Sequence, residues 1–444
     1  MTRSGPSEKE ARIPDPQDWA SLGGLIAPTD PFLDEAARSG AAAVTWMTRR
    51  DRKTQREPRL RAHRIGIRGV TIGLFMLASF GTQALAEGIW ISAAELAGKP
   101  MSGSAWDALE AAAEGDLGSP DVGNYNSLHD TRTLAVALVY ARAGGAALRV
   151  KARDAILAAV GTESTTTQAV QPCRNLVSYV ISADLIDLAA FDPAGDTTFR
   201  AWIDAIRYVV WPDGSMIEED DERANNHGRM CGMSRAAIAV YLGDVVELEN
   251  AARVFAGLLG DTTVYDDFKW KHDLSWQHDE AQPVGINPVG AVKQGLSIDG
   301  ALPEEMRRGG GFAIPPSPTG YPWEALQGIL VEAVILERAG YPAFEWSDQA
   351  ILRAVQFMER LDNAYPADDW WATGDDTWSP WLVNAVYGTA FPTRPAAMGK
   401  CMGWTDWTHG PGPVAVPLLS GQGLGWIMAM LLVAGSLGRV SRTR

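Results

Sequence analysis

The 444-residue chain has only three cysteines, and no two of them form a Cys-x-x-Cys pair. This excludes zinc ribbons and thioredoxin-type redox motifs, which need paired cysteines. Cys173 and Cys231 could form a disulfide in an exported protein or remain two separate buried thiols. Because connectivity cannot be read from spacing, both alternatives stay open.

Positive charge is also scarce, with 39 Lys and Arg against 54 Asp and Glu and a formal net charge of −15. Nucleic-acid binding depends on basic side chains that neutralise phosphates, so a nucleic-acid partner is excluded. We find no convincing cluster of metal ligands and expect no metal or other cofactor. A hydrophobic content of 46% is ample for a full core.

The N-terminal part of the chain has no apolar run long enough for a normal transmembrane span. Residues 49–68 carry nine Lys and Arg and two acids, and the next twelve residues are mostly apolar. With Ala84-Leu85-Ala86 behind them, this is the layout of a secretory signal peptide, and the apolar run is too short for a normal transmembrane span. We expect residues 1–86 to be an N-terminal extension and signal peptide, although a membrane anchor or a start at Met47 is also compatible with the sequence.

The C-terminal segment, residues 414–444, combines a Val-Pro-x-x-Ser opening, an apolar stretch and an arginine-rich end. It is similar to bacterial C-terminal sorting tails, and arginines after an apolar run favour a membrane interpretation. A final core helix is the alternative. Both ends therefore predict export to the periplasm or cell surface. The resemblance implies transient contact of both termini with the inner membrane and handling of the tail by sorting machinery.

The middle segment, residues 87–413, is helical in its patterning. Stretches such as TRTLAVALVYARAGG and WEALQGILVEAVILERAGY place apolar residues at i, i+3, i+4 and i+7. Long connections at 208–226 and 262–322 carry most of the unusual chemistry, and long ordered loops are often functional. We predict an all-α fold, most simply an α/α barrel or toroid of antiparallel helical hairpins. An ordinary helical bundle is the alternative, and we expect a monomer.

Four stretches carry amide, imidazole, guanidinium and phenol groups: WPDGSMIEEDDERANNHG, HDLSWQHDEAQP, DGALPEEMRRGGGF and YPWEALQG. These groups suit β-elimination at a uronic acid. The site must neutralise the carboxylate beside the C5 proton, and it must also supply a base and an acid for the departing oxygen. No metal is chemically required.

Asn225-Asn226-His227 and the segment at 299–309, DGALPEEMRRG, resemble two motifs of alginate lyases of the mannuronate-lyase type, and the likeness extends roughly over residues 105–392. The resemblance implies a polysaccharide lyase acting on an acidic polysaccharide. Asn226 and Arg308 would neutralise the carboxylate. His227 would act as base or assist neutralisation, and Tyr321 would be the acid and a second candidate for the base.

The family's histidine-flanked tyrosine run is replaced here by GGGFAIPPSPTGYPWEAL, which weakens the assignment of Tyr321 and leaves the identity of the polymer open. Asn225 is expected to bind substrate or to cap a helix. Further substrate-binding candidates are Tyr125, Arg229, Trp276 and His278. For the tryptophans in general, core packing competes with a role as flat platforms for sugars.

Two other functions stay open. An inverting glycoside hydrolase would need two separated carboxylates, which the run at 218–222 or the pair Asp375-Asp376 could supply. A surface polysaccharide-binding protein would keep affinity without turnover. Because an acidic chain repels a polyuronate at long range, a lyase also needs local positive charge. The arginines that could supply it are Arg223, Arg229, Arg307 and Arg308.

Overall fold

The computed structural model describes residues 88–396 and 398–411, and these belong to one compact unit. The predicted signal segment at 1–86 and the predicted sorting tail at 414–444 lie outside the described residues. Within the described ranges, no helix is both long enough and apolar enough to span a membrane.

Helices make up most of the unit. In chain order they are α1 (Ala93–Gly98), α2 (Ser104–Glu114), α3 (His129–Ala143), α4 (Ala146–Ala159), α5 (Val170–Leu185), α6 (Leu188–Phe191), α7 (Pro193–Ile206), α8 (Met216–Glu222), α9 (Asn226–Leu242), α10 (Val245–Leu258), α11 (Pro303–Met306), α12 (Tyr321–Arg338), α13 (Trp346–Ala364), α14 (Ser379–Tyr387) and α15 (Thr405–Thr408). A 3₁₀ turn spans Gly374–Asp376. The short strands β1 (Val292–Lys293) and β2 (Leu296–Ser297) pair antiparallel, with Val292 opposite Ser297.

Contacts between helices run in order through α2, α3, α5, α9, α12, α14 and α15, and α15 contacts α2 again. A second set packs against these helices: α4 contacts α3, α7 contacts α4, and α10 contacts α9. The prediction of an all-α fold is confirmed. The α/α toroid stays a prediction, for which this circular order of contacts is the relevant observation.

Helices α9 and α12 lie close together, and glycines make this spacing possible. A Cβ at Gly328 on α12 would lie 2.5 Å from the backbone of Arg229 on α9. A Cβ at Gly232 would lie 2.5 Å from carboxylate oxygens of Asp220 and Glu332. Because real Cβ atoms do not tolerate such distances, the two helices depend on these small residues for their spacing.

The prediction of a long loop over residues 208–226 is wrong, since this segment contains α8. Ser215 caps α8 by accepting from the backbone N–H of Glu218, and the Glu218 side chain accepts from the backbone N–H of Ser215. This reciprocal capping box stabilises a helix start. The acidic run that follows has little apolar periodicity, so the hydrophobic pattern did not indicate a helix there. The second connection, 262–322, contains β1, β2 and α11.

Most of the tryptophans for which the sequence left two roles open belong to the core. Trp370, Trp371 and Trp378 are buried, and the indole N–H of Trp371 donates to the Pro392 carbonyl at 3.0 Å. Buried indoles commonly find such a partner. Core packing, and not sugar stacking, therefore explains these three side chains.

Cys173 on α5 and Cys231 on α9 form a disulfide between helices that already pack together. A disulfide stabilises a fold mainly by restricting the unfolded chain. We expect the double variant Cys173→Ala/Cys231→Ala to lose about 2–4 kcal/mol of unfolding free energy, measured by urea denaturation under oxidising conditions. The buried free thiol Cys401 provides the control, Cys401→Ala. A double variant no less stable than this control would contradict the expectation.

Candidate functional site

Three of the four predicted catalytic residues come together at the start of α9 and α12. Asn226 is the first residue of α9, and Tyr321 is the first residue of α12. Arg308 follows α11, and its Nη1 donates to Asn226 Oδ1 at 3.2 Å. The Arg308 guanidinium carbon lies 3.4 Å from the centre of the Tyr321 ring. We call Asn226, Arg308 and Tyr321 the catalytic cluster, after the role that the sequence predicts for them.

Asn225 holds the helix that presents this cluster. Its side-chain oxygen accepts from the backbone N–H groups of His227 at 3.1 Å and Gly228 at 3.4 Å, so it is the N-cap of α9. Gly228 is required here, because a Cβ would lie 1.9 Å from the Arg223 carbonyl oxygen. The helix-capping alternative for Asn225 is confirmed, and its side-chain oxygen is committed to the helix rather than to a ligand.

Glu305 fixes the backbone of Asn226 from the other side. The Asn226 backbone N–H donates to Glu305 Oε1, and the Glu305 side chain is fully buried. Burial raises the pKa of Glu305 to about 8, although the positive charge of Arg308 and the hydrogen bond from Asn226 act in the opposite direction. The carboxyl therefore supports the cluster from within the core.

Glu324, one turn after Tyr321 on α12, joins the cluster to Tyr125. Asn226 Nδ2 donates to Glu324 Oε2 at 2.8 Å, and the Tyr125 hydroxyl donates to Glu324 Oε1 at 3.0 Å. Burial raises the pKa of the Tyr125 hydroxyl, and the Glu324 charge adds to that effect. Tyr125, a predicted substrate-binding residue, is thus brought to the site. Sequence reasoning missed Glu324, whose only signal is its position three residues after Tyr321.

Two cations face the Tyr125 ring. The Arg174 guanidinium carbon lies 3.9 Å from the ring centre, and Lys400 Nζ lies 4.4 Å from it. The Arg174 side chain is almost fully buried on α5, and within the described residues its Nε and Nη2 make no hydrogen bond. Lys400 also pairs with Asp375 at 3.3 Å. Sequence reasoning missed both cations; the available signal was an arginine within the mainly apolar pattern of α5.

His227 has different neighbours from the catalytic cluster. Its Nδ1 lies 3.6 Å from Glu219 Oε2 and 3.7 Å from Asp213 Oδ2. In the described part of the chain, no hydrogen bond or ion pair joins its ring to Arg308 or Tyr321. The residue next to Asn226 in sequence therefore has its ring beside two carboxylates. The sequence did not indicate this pairing, because Asp213 and Glu219 lie in a stretch rich in acidic residues.

Two predicted substrate-binding residues do not fit that role, because they are buried. Arg229 is fully buried, and its Nη2 donates to Asp220 at 3.0 Å. Trp276 is also fully buried and packs edge-on against Phe312. Neither side chain offers surface to a polymer, so both are corrected to core residues. His278 is exposed on its loop, and its backbone N–H donates to Asn287.

A lyase for an acidic polymer needs positive charge at its site, and part of this charge comes from residues that the sequence did not indicate. Arg223 pairs with Glu219 at 2.8 Å, and Arg307 pairs with Glu304 at 2.6 Å. Of the four candidates, Arg308 is the one that belongs to the catalytic cluster. Arg174 and Lys400 add positive charge close to it.

Asp376 is a second titratable group near the site. Gln327 Nε2 on α12 donates to Asp376 Oδ1 at 2.5 Å. Burial raises the pKa of Asp376 to about 7, and the negative charges of Asp375 and Glu324 contribute to the rise. A carboxyl with such a pKa holds its proton for part of the time near neutral pH, as a general acid must.

Comparison of the chain with protein-family models, with curated proteins and with solved structures finds no match. The likeness to alginate lyases therefore stays a resemblance of two short sequence motifs, at 225–227 and 299–309.

Proposed function

We propose that the protein is a polysaccharide lyase that cleaves a uronate-containing polymer by β-elimination. The observation that carries the proposal is the convergence of Asn226, Arg308 and Tyr321, which come from three separate places in the chain. Each of the two contacts involved, the 3.2 Å hydrogen bond and the 3.4 Å stacking distance, includes Arg308. These are the amide, guanidinium and phenol groups that elimination at a uronate requires.

In this proposal, Arg308 and Asn226 neutralise the substrate carboxylate. A guanidinium has five N–H donors, and the bond to Asn226 uses one of them, so others can bind a carboxylate. The Asn226 amide and the Tyr125 hydroxyl already donate to the carboxylate of Glu324. The second N–H of the Asn226 amide and the remaining donors of Arg308 would favour the charge that develops when the C5 proton leaves.

Tyr321 is the proposed acid for the departing O4, and it is also the better candidate for the base. The His227 ring lies beside Asp213 and Glu219, which favours a supporting role for that residue. In the step proposed here, Tyr321 starts as a phenolate, takes the C5 proton to become a phenol, and returns that proton to the leaving O4 from the same face of the sugar. One phenol then performs both proton transfers.

The cationic side chains around the catalytic cluster favour an acidic substrate. The chain as a whole has a net charge of −15, which opposes the approach of a polyanion. Arg308 belongs to the catalytic cluster, and Arg174 and Lys400 lie against the Tyr125 ring beside it. Salt screens the long-range repulsion over about 10 Å at 0.1 M, whereas contacts inside the site are screened much less.

The test is the absorbance of the new C4–C5 double bond, at roughly 232 nm, when the purified chain is incubated with polymannuronate, polyguluronate and other polyuronates. We expect a steady rise with the wild type and a rate at least about 100-fold lower with Asn226→Ala. Asn250→Ala on α10 is the matched control, because this amide makes one long contact of 3.4 Å with Glu247. The absence of any rise on every polymer would refute the proposal.

A glycoside hydrolase is the second candidate, and the raised pKa of Asp376 is the observation that favours it. Asp376 would be the general acid, and Glu324 would be the second carboxylate. The acidic run at 218–222 is less suited, since Asp220 pairs with arginines in the core and Glu222 pairs with Lys269. Release of reducing sugar without new absorbance would favour this function. Binding without turnover would favour a polysaccharide-binding protein.

We further propose that the protein is exported, as both termini of the sequence indicate. The disulfide between Cys173 and Cys231 supports this location, because disulfides persist in oxidising compartments and are rare in the cytosol. An acidic polysaccharide outside the cytoplasm would be accessible to an exported lyase.

A further inference from the structure

Three side chains meet behind the start of α9, next to the catalytic cluster. Asp213 comes from the turn before α8, Glu219 from α8 itself, and His227 from the first turn of α9. One atom from each lies within 4.8 Å of the others. His227 Nδ1 is 3.6 Å from Glu219 Oε2 and 3.7 Å from Asp213 Oδ2.

Asp213 and Glu219 each bind another part of the protein through one carboxylate oxygen. The other oxygen of each lies near His227 Nδ1. Asp213 Oδ1 accepts from the Ala169 backbone N–H at 2.8 Å, and Glu219 Oε1 pairs with Arg223 Nε at 2.8 Å. Asp213 Oδ2, Glu219 Oε2 and His227 Nδ1 are buried, and none of them has a hydrogen-bond partner among the described residues. The side chains of Glu219 and Asp213 are only 2% and 10% exposed. Three buried polar atoms without partners in one place call for a ligand.

Hydrogen bonding among the three does not satisfy them. Distances of 3.6 and 3.7 Å exceed the range of an N–H···O hydrogen bond. Ligands held at about 2.1 Å in a tetrahedral zinc site are about 3.4 Å apart. The observed spacing is therefore close to that of ligands around one ion.

We propose that Asp213 Oδ2, Glu219 Oε2 and His227 Nδ1 bind one divalent transition-metal ion, of the zinc or manganese class. Imidazole favours zinc and its neighbours, carboxylates also accept manganese, and a nitrogen ligand disfavours calcium and magnesium. Arg223 offsets one of the two carboxylate charges, and the other remains to attract a cation. Three protein ligands leave room in the coordination sphere for water.

An ion at this site would also affect the structure, because its three ligands come from different segments of the backbone. A bound ion would tie the turn before α8, α8 and the first turn of α9 to one another. Asn226 lies between the cap residue Asn225 and His227, so the same ion would fix the backbone that presents the Asn226 amide. Under the proposed function, a ligated Nδ1 would leave the ring proton on Nε2, and His227 would donate a hydrogen bond rather than remove a proton.

The test is calorimetric titration of the purified full chain, first treated with a chelator, with ZnCl₂ or MnCl₂ alone. We expect the wild type to bind one equivalent of at least one of these ions. Glu219→Gln and His227→Ala should each weaken the affinity at least about 10-fold. Glu222→Gln is the matched control, because this carboxylate also lies on α8 but pairs with Lys269. Circular dichroism would verify that each variant is folded.

Failure of the wild type to bind one equivalent of zinc or manganese would overturn the inference. So would wild-type affinity in folded Glu219→Gln and His227→Ala variants, since the ion would then bind elsewhere. Because binding is measured without polysaccharide, a chain that binds the ion but has no lyase activity would contradict the proposed function only. An active lyase that binds neither ion would contradict the metal site only.

Discussion

Replacing Arg308 with lysine should lower kcat/KM for polyuronate elimination by about 10²–10³-fold, the usual cost of losing one donor aimed at the developing charge. Arg307→Lys, one residue earlier, should stay close to the wild-type value. The two arginines are adjacent in sequence and have the same chemistry, so they form a matched pair of positions.

The difference follows from what each guanidinium contacts. Arg308 donates to Asn226 at 3.2 Å, and its guanidinium carbon lies 3.4 Å from the centre of the Tyr321 ring. A lysine keeps the charge but cannot stack on the ring and donate in several directions at once. Arg307 instead pairs with Glu304 at 2.6 Å, away from those two residues.

Initial rates over a range of polymer concentrations would separate kcat from KM for both variants. A loss mainly in kcat would show that Arg308 acts in the transition state, and a loss mainly in KM would show uniform binding. Urea denaturation should give similar stabilities for the two variants. Wild-type kinetics in a folded Arg308→Lys variant would contradict the role proposed for this residue.

The sequence was informative wherever a residue acts through local geometry. Helical periodicity predicted the all-α class, and asparagine at position 225 has the chemistry of an N-cap, which it proved to be. The two short motifs predicted that Asn226 and Arg308 would meet although 82 positions separate them. That success depended on a resemblance, because periodicity alone does not indicate which helix ends are neighbours.

The sequence was uninformative wherever a side chain depends on distant packing. Tyr125 and Glu324 are 199 positions apart, and no local pattern links them. Arg229 was expected to bind substrate as a source of local positive charge, yet it is fully buried, as arginines almost never are unless they are paired. Two acids lie beside the buried Arg229: Asp220 on α8 and Glu332 on α12. Which acids meet this arginine depends on tertiary structure, so the sequence pattern did not indicate them.

Those acids form a buried charge network with two arginines. Arg229 Nη2 lies 3.0 Å from Asp220 Oδ1, and its Nη1 lies 3.6 Å from Glu332 Oε2. Arg235 pairs with the second Asp220 oxygen at 2.9 Å and with Glu247 at 2.6 Å. Breaking a buried pair leaves an uncompensated charge in the core, which is far more costly than losing a surface ion pair.

Glu332 differs from Asp220 in this network, because its carboxyl oxygens make no hydrogen bond in the described structure. Burial and the Asp220 charge raise the pKa of Glu332 well above its ordinary value, against the opposing effect of the two arginines. The folded protein then keeps this proton to a higher pH than the unfolded chain, which releases it above about pH 4.3. Stability therefore falls as the pH rises from that value towards the folded-state pKa.

We accordingly expect opposite results for two substitutions in the same network, measured by urea denaturation at pH 5 and pH 8. Arg229→Ala should lose about 3–5 kcal/mol of unfolding free energy at pH 8, because Asp220 loses one of its two cations. Glu332→Gln replaces the carboxyl with a group of the same shape that stays neutral at every pH. It should be tolerated at pH 5 and gain stability relative to the wild type at pH 8. A Glu332→Gln variant as unstable as Arg229→Ala at pH 8 would mean that Glu332 is ionised and paired in the folded protein.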